Sequence, residues 1–400
     1  MKRFLRFISA LLVAITALSA VSCNSVAKLE DSGKENSEGI TVKSENTSSV
    51  SKNETKDSEA GAKDFLLLNP NGIVDESKRA AAELGIYMPD PQMNGAPAGT
   101  YPIQGFLLSA SSPADTYGNG MSVIYRLSDG SLFVFDGGSG NVKYMLYKCL
   151  KDLSGGGKIK IAAWVMTHSH WDHYGAMFDL LNSGVFKEDF EIQEFWFNRA
   201  NNTADATGSG VHLENAFKSL AKGETKVRVL EYGQTYTLDG GRVSAKVLCT
   251  PDKVAGRSGL DENTNSLVMM LNIGGKKLLM TGDANEPAWD FMVSQHNKST
   301  EYSLKCDYLQ MPHHAVHAAG TAAGYAAAAP SYVIIPSTTK LAKDLCTSSN
   351  ANPTYNFLKN TMGINTQSSN LPQIGSNYCY AGNYTQNGTK NVVCFFTSAQ

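Results

Sequence analysis

From Pro102 onward, short runs of consecutive apolar residues alternate with stretches whose apolar positions recur every third or fourth residue. Runs of the first kind, rich in β-branched and aromatic side chains, predict strands, and the second spacing predicts amphipathic helices. Met121–Leu127 and Leu132–Phe135 read as two strands joined by the turn Ser128-Asp129-Gly130-Ser131. Val142, Met145, Leu146, Cys149, Leu150 and Leu153 then fall on one helical face, stopped by Gly155-Gly156-Gly157. A buried strand is predicted over Ile159–Met166, a helix over His173–Leu181, a strand over Glu191–Phe197 and a helix over His212–Lys222. Further strands follow at Lys226–Leu230 and Val243–Cys249, with a hairpin of Ser266–Ile273 and Lys276–Thr281 across Gly274-Gly275. A helix over Pro287–Gln295 and strands at Asp307–Met311 and Tyr332–Pro336 complete the pattern. Hairpins combined with strand–helix alternation predict a layered α/β sandwich.

The preceding hundred residues read differently. Met1–Phe7 is cationic, Ile8–Ala20 is almost wholly apolar, and Val21-Ser22-Cys23 closes the run with small residues. Residues 1–22 are therefore read as a secretory signal, too short to span a bilayer comfortably. Ala20-Val21-Ser22-Cys23 resembles a bacterial lipobox, so Cys23 is expected to carry lipid and to hold the protein outside the cell on its membrane. With Cys23 at its head, the segment to residue 63 is Ser, Asn, Glu, Lys and Asp with little to bury, and reads as a flexible tether. Residues 64–101, with a short helix over 76–84, read as an extension packed on the main domain of residues 102–400.

Composition narrows the function. The 400 residues carry 35 basic and 37 acidic side chains, a formal charge of −2. Removing the signal leaves 32 against 37, which disfavours tight capture of a polyanion such as nucleic acid. The membrane is expected to be engaged only through the lipid, and oligomeric state is not legible. Beyond Cys23, the cysteines at 149, 249, 306, 346, 379 and 394 show no CxxC spacing, and several lie in strand-like runs, so buried free thiols are expected.

The chemistry lies in three loops. Thr167-His168-Ser169-His170-Trp171-Asp172-His173 brings three of the chain's eight histidines together with a carboxylate, immediately after a strand. Neutral imidazoles and carboxylates suit Zn²⁺ or a similar borderline cation. Without a metal, the same segment would be a His-rich loop in which Asp172 caps the next helix. Leu278–Met280 leads through Thr281-Gly282 to Asp283, and Leu309–Met311 leads through Pro312 to His313-His314. Three strand ends offering metal-binding groups to one edge are a far stronger signal than any of them alone.

On these residues the chain resembles the metallo-β-lactamase fold superfamily over about 102–396, through HxHxDH, a later Gly-Asp and a later His. More narrowly it resembles the soluble hydrolase domain of ComEC/Rec2 competence proteins, through FVFDGG at 133–138, THSHWDH, ENTNSLV at 262–268, LLMTGD and MPHH. The resemblance implies a four-layer αββα sandwich with two divalent metal ions, Zn²⁺ foremost and Mn²⁺ next. It implies that His168 and His170 bind one ion, that Asp172, His173 and His313 bind the other, and that Asp283 bridges them. Asp136 would orient a ligand from behind. The superfamily's further first-site histidine has no counterpart in Cys249–Ser266, where Asn265 or Asp261 is the candidate substitute; His212 is expected to be a surface residue.

The activity the resemblance implies is metal-dependent hydrolysis, first of a small-molecule or envelope phosphodiester. Asp172, or Asp283, would hold the attacking water and take its proton, and His314 would stabilise the oxyanion or protonate the leaving group. An exchange of roles, with His314 as the ligand, stays open. The alternatives are β-lactam or ester hydrolysis on the same site, and an envelope binding protein that keeps the fold without turnover.

Overall fold

The structure is a computed structural model, and it describes residues 96–109, 120–155, 157–184, 186–199, 209–254, 262–316, 319–337, 352–364, 378–380 and 392–398. The signal, Cys23, the tether, the helix expected at 76–84, Asp261 and Cys346 lie outside these.

The first sheet contains β1 (Gln104–Ser109), β2 (Met121–Arg126), β3 (Leu132–Phe135), β4 (Ile159–Val165), β5 (Phe190–Ile192), β6 (Glu194–Phe197) and β7 (Lys226–Val229). A second sheet follows with β8 (Thr235–Leu238), β9 (Val243–Cys249), β10 (Val268–Ile273), β11 (Lys276–Met280), β12 (Tyr308–Gln310), β13 (Tyr332–Ile335) and β14 (Tyr378–Tyr380), and the chain returns to the first with β15 (Val392–Thr397). Strand order is β15-β1-β2-β3-β4-β6-β7, with β5 also paired to β4, and β14-β13-β12-β11-β10-β9-β8.

Both faces of the central strands are apolar, and the two-residue period sorts them into separate layers. In β3, Leu132 and Val134 face a helix layer while Phe133 and Phe135 face the other sheet. In β11, Leu278 and Met280 point between the sheets and Leu279 points outward. Each such side chain contributes roughly 1.5–3 kcal/mol when fully buried, so neither face tolerates water and each must be covered. Helices α1 (Lys143–Leu153), α2 (Trp171–Asn182) and α3 (Ser209–Leu220) cover the first sheet through Leu146, Leu150, Met177, Leu180 and Phe217. After a single turn, α4 (Pro251–Val254), come α5 (Glu286–Lys298) and α6 (Ala322–Ala328), which cover the second sheet through Trp289, Met292 and Tyr325. The result is the αββα sandwich.

Several elements depart from expectation. The strand expected over Glu191–Phe197 breaks at Gln193, whose N–H donates to Ile161 O and whose C=O accepts from Lys226 N. Asp172 does not cap α2: His170 occupies that position without a side-chain cap, and Asp172 lies in the first turn. There its negative charge still favours the positive end of the helix dipole. As expected, Cys149, Cys249, Cys306 and Cys379 are buried and form no disulfide among the described residues. No helix among the described residues is long and apolar enough to cross a membrane.

β3 and β4 are parallel, as are β11 and β12. Their C-terminal ends deliver Asp136, the His168–His173 segment, Asp283 and His313-His314 to one edge of the sandwich.

Candidate metal centre

Local backbone devices aim each group. After β3 the chain turns at Asp136 with φ 56°, and its carboxylate is fully buried. Asp136 Oδ1 accepts the Thr167 N–H at 2.8 Å, while Oδ2 accepts from Thr167 Oγ1 at 2.8 Å and faces His173 Nδ1 at 2.8 Å. A carboxylate only accepts here, so His173 carries its proton on Nδ1 and presents Nε2 inward. Gly282 sits against Thr167, where an added Cβ would lie 2.7 Å from Thr167 Cβ; the close approach of the two loops requires glycine. Gln310 Oε1 accepts from the N–H groups of Thr281 and Gly282, and Ser266 Oγ accepts the Asp283 N–H at 3.0 Å, which fixes the carboxylate.

Beyond β12 the backbone makes three successive left-handed residues, His313 (φ 47°), His314 (φ 55°) and Ala315 (φ 61°). Non-glycine residues in this conformation cost roughly 1–2 kcal/mol each, and such strain gathers at functional sites. The turn is held because His313 N–H donates to Gly282 O, His314 Nδ1–H donates to Pro336 O at 2.9 Å, and Ser337 Oγ donates to His314 O. The Pro336 carbonyl fixes the His314 tautomer and leaves Nε2 directed into the cluster.

The inward-facing atoms converge. His173 Nε2 lies 3.1 Å from Asp283 Oδ2 and 3.3 Å from His314 Nε2. His314 Nε2 lies 3.4 Å from Asp283 Oδ2 and 3.3 Å from Asp172 Oδ2. His168 Nε2 lies 3.9 Å from Asp283 Oδ2 and 3.1 Å from His170 Nδ1. Two triads have ligand atoms within 4.8 Å of one another: His168, His173 and Asp283, and Asp172, His173 and His314.

The geometry places the two adjacent histidines differently. His313 Nε2 lies 3.9 Å from Asp283 Oδ2, as far as His168, but its ring is part exposed and it belongs to neither triad of described residues, whereas His314 is fully buried among the carboxylates. The left-handed turn is the reason: it swings the second histidine inward and the first toward the rim. His170 lies beside His168 but outside both triads. The side chain of His212, in α3, is not among those described.

Electrostatics match a cation-binding cluster. Burial lowers the pKa of His168, and the nearby His173 lowers it further. Burial opposes charge on His173 too, but Asp283 and Asp136 outweigh it and hold this ring well above the ordinary range. His314 behaves likewise: Asp283 and Asp172 overcome burial and push it to about 10. Burial would raise both Asp283 and Asp172, yet His173 and His314 hold each carboxyl well below its usual range. Burial raises Asp136, and its bonds to His173 and Thr167 only partly offset this.

The donor set fits divalent metal. His173 and His314 meet nitrogen to nitrogen, an approach that two lone pairs tolerate only with a proton or cation nearby. Asp283 Oδ1 is buried with no hydrogen-bond partner, an arrangement that costs about 1–3 kcal/mol unless something positive satisfies it. The Asn265 amide is also buried with Nδ2 unpartnered, one residue before the Ser266 that holds Asp283. The roles of Thr167, Ser266, Gln310 and Pro336 as supports were missed in the sequence; Thr167, inside THSHWDH, and Ser266, inside ENTNSLV, carried a signal. Ser169 Oγ donates to Glu262 Oε2 at 2.7 Å, tying that motif to the His loop.

Comparison with known proteins gives a family. Residues 115–318 match the model of the Metallo-beta-lactamase superfamily. No curated protein matches. Among solved structures, a Cronobacter sakazakii metallo-beta-lactamase with an HARLDQ motif is similar at 16% identity, covering 48% of this chain and 70% of that one, with a TM-score of 0.30. Yeast PDE1, unliganded, is similar at 10% identity over 74% of this chain and 100% of that one, TM-score 0.39. A diphosphatase of the PhnP family is similar at 14% identity over 58% and 85%, TM-score 0.35.

Proposed function

This chain belongs to the metallo-beta-lactamase superfamily, and from that membership we propose that it is a dinuclear-metal-dependent phosphodiesterase of the ComEC/Rec2-like kind, exported and lipid-anchored through Cys23. The observation that carries the hydrolase reading is the buried, unpartnered Asp283 Oδ1 at the meeting point of His168, His173 and His314. The phosphodiester preference rests on the motif set FVFDGG, THSHWDH, ENTNSLV, LLMTGD and MPHH. Export rests on the signal-like residues 1–22 and the lipobox-like approach to Cys23.

His168, His170 and Asp283 would hold one ion, and Asp172, His173 and His314 the other, with Asp283 between them. When bound, divalent cations supply Lewis acidity, polarising a phosphoryl oxygen and lowering the pKa of a water toward 7. The chain's residues do the rest. Asp136 holds the His173 tautomer, and Pro336 O holds that of His314, so neither ring reorients during turnover. Asp283 is sealed at 1% exposure, whereas the Asp172 side chain is 27% exposed. Asp172 is therefore the carboxylate able to accept the water's proton and pass it to solvent. His314 is enclosed at 0% with Nδ1 committed to Pro336, so the leaving-group role expected of it passes to His313, whose side chain is 20% exposed at the rim.

The test is hydrolysis of bis-p-nitrophenyl phosphate by the purified protein. Turnover should vanish with chelator, return with Zn²⁺ or Mn²⁺, and be lost in His168→Ala. Nitrocefin turnover without phosphodiester turnover would move the assignment to β-lactam hydrolysis. Less than about one metal per chain after dialysis, with no turnover, would leave a binding protein.

A further inference from the structure

We propose that Glu262 is a positioning residue: through Ser169 it sets the pairing of His168 with His170, and so the hold on the ion those two histidines share, without acting on the ion shared by His173 and His314. This deepens the hydrolase reading and rests on it for the assignment of the two ions.

The histidines of the cluster are not supported alike. His168 Nδ1 lies 3.0 Å from Thr167 Oγ1, His173 Nδ1 meets Asp136, and His314 Nδ1 meets the Pro336 carbonyl. Each of these rings thus has a partner on the nitrogen turned away from the cluster, the usual arrangement for a histidine that binds metal. His170 has none. Its Nδ1 is the inward atom, 3.1 Å from His168 Nε2, and its Nε2 makes no hydrogen bond among the described residues. The two rings stand at 73° with centroids 4.8 Å apart. With no outer partner on its ring, His170 is aimed by its backbone.

That backbone is pinned at both ends. Thr167 N–H donates to Asp136 and Thr167 O accepts the Leu267 N–H at 2.8 Å, while His170 O accepts from His173 N–H at 3.0 Å and Tyr174 N–H at 3.2 Å. Between them Ser169 Oγ donates to Glu262 Oε2 at 2.7 Å. His170 is extended, with φ −68° and ψ 144°. In extended chain, side chains two residues apart leave on one side and the one between them leaves on the other. A bond drawn on Ser169 from behind therefore turns both imidazoles toward the cluster together. Glu262 is placed to hold that bond. It opens the turn Glu262–Asn265, whose other three residues are buried. Thr264 Oγ1 donates to Asn285 Oδ1 at 2.8 Å and Ser266 N–H donates to Asn263 O at 3.1 Å, so the carboxylate projects from a braced base. No lysine or arginine among the described residues pairs with Glu262, so no ion pair competes for Oε2. A hydroxyl–carboxylate bond is charge-assisted and roughly twice as strong as a neutral one. His173 and His314 rest on Asp136 and Pro336 instead, away from this brace.

Titration of the metal-free full chain with Zn²⁺ against a competing chelator resolves two binding steps and tests this. E262A and S169A should each weaken one step roughly tenfold and leave the other within about twofold. E262Q keeps an oxygen that accepts the Ser169 hydroxyl, so its affinity should stay within about threefold of the parent. H170A identifies the step: it should weaken the same one, and adding E262A to H170A should change that step less than about twofold, as for residues acting through one contact. Equal weakening of both steps, E262Q as weak as E262A, or full additivity with H170A would overturn the proposal and leave Glu262 a general prop of the fold. A second readout needs no metal. Imidazole resonances of the metal-free chain, assigned through single His→Ala variants, should shift for His168 and His170 in E262A and S169A while those of His173 and His314 stay. Shifts spread over all four rings, or none, would refute the link. If Zn²⁺ binds in neither step, the metal-dependent hydrolase reading fails, and the imidazole spectrum still decides this proposal.

Discussion

Replacing Asp136 by Asn removes one negative charge from a fully buried position and alters almost no volume. Its two oxygens now accept three bonds, from Thr167 N, Thr167 Oγ1 and His173 Nδ1, each at 2.8 Å. An amide supplies one acceptor oxygen and an NH₂ that must face a donor. If the NH₂ turns toward His173, that ring is driven to its other tautomer, with the proton on Nε2, where it cannot hold a cation. If it turns toward Thr167, the bond fixing the start of the His loop is lost. Loss of an outer partner of a metal-binding histidine typically costs 10- to 100-fold in affinity, about 1.4–2.7 kcal/mol. Because Asp136 touches no substrate, kcat at saturating metal should recover to within about tenfold of the parent, while the metal concentration for half activity rises 10- to 100-fold. Titration of the apo protein with Zn²⁺ against a competing chelator, followed by turnover at each metal level, measures both. Folding is checked by circular dichroism before metal is added. Metal affinity within twofold of the parent would refute the claim that Asp136 sets the His173 tautomer.

Other outcomes separate the roles of neighbouring residues. H314A should lose about one metal per chain by elemental analysis, whereas H313A should keep its metal and lose kcat; the reverse pattern would restore His313 as the ligand. At pH 7 the metal-free His173 and His314 are held protonated by their carboxylates, so Zn²⁺ binding should expel about one to two protons, seen as acidification of a weakly buffered solution. The sign follows from raised pKa values. Their contribution to apo stability is fully present below about 6.5, the unperturbed histidine value, and is lost as pH rises through the folded value of about 10 for His314. Proton release should therefore shrink above pH 10, and release that grows there would contradict it. Ala329 ends α6 in the left-handed region at φ 38° and is exposed, so Ala329→Gly should stabilise by roughly 0.5–1 kcal/mol in urea unfolding; destabilisation would mean the methyl packs where it stands exposed.

The sandwich was legible because its strands are apolar on both faces and its hairpins carry Gly or Asp-Gly turns, as at Gly130 and Gly274-Gly275. The Ala-rich α6 was not, because alanines give no apolar period; only Thr321, whose hydroxyl caps the helix by accepting the Gly324 N–H, marked its start. The edge strand β8, half-exposed along its length, offered no buried run to notice. In the site, residue types at strand ends were readable, and which of two adjacent histidines points inward was not. That depends on three consecutive left-handed residues, which neither His313, His314 nor Ala315 announces by composition. The supports from Gln310 and Pro336 are long-range, made by strand pairing rather than by motif.

Anomalous diffraction at the zinc edge, on crystals of the full chain grown with Zn²⁺, tests the cation cluster most directly. Two peaks are expected, with Asp283 serving both, Nε2 of His173 and of His314 about 2.0–2.1 Å from an ion, and His313 bound to neither. Well-ordered crystals with no peak in the cluster, or with the ion bound by His313 while His314 stands apart, would contradict it.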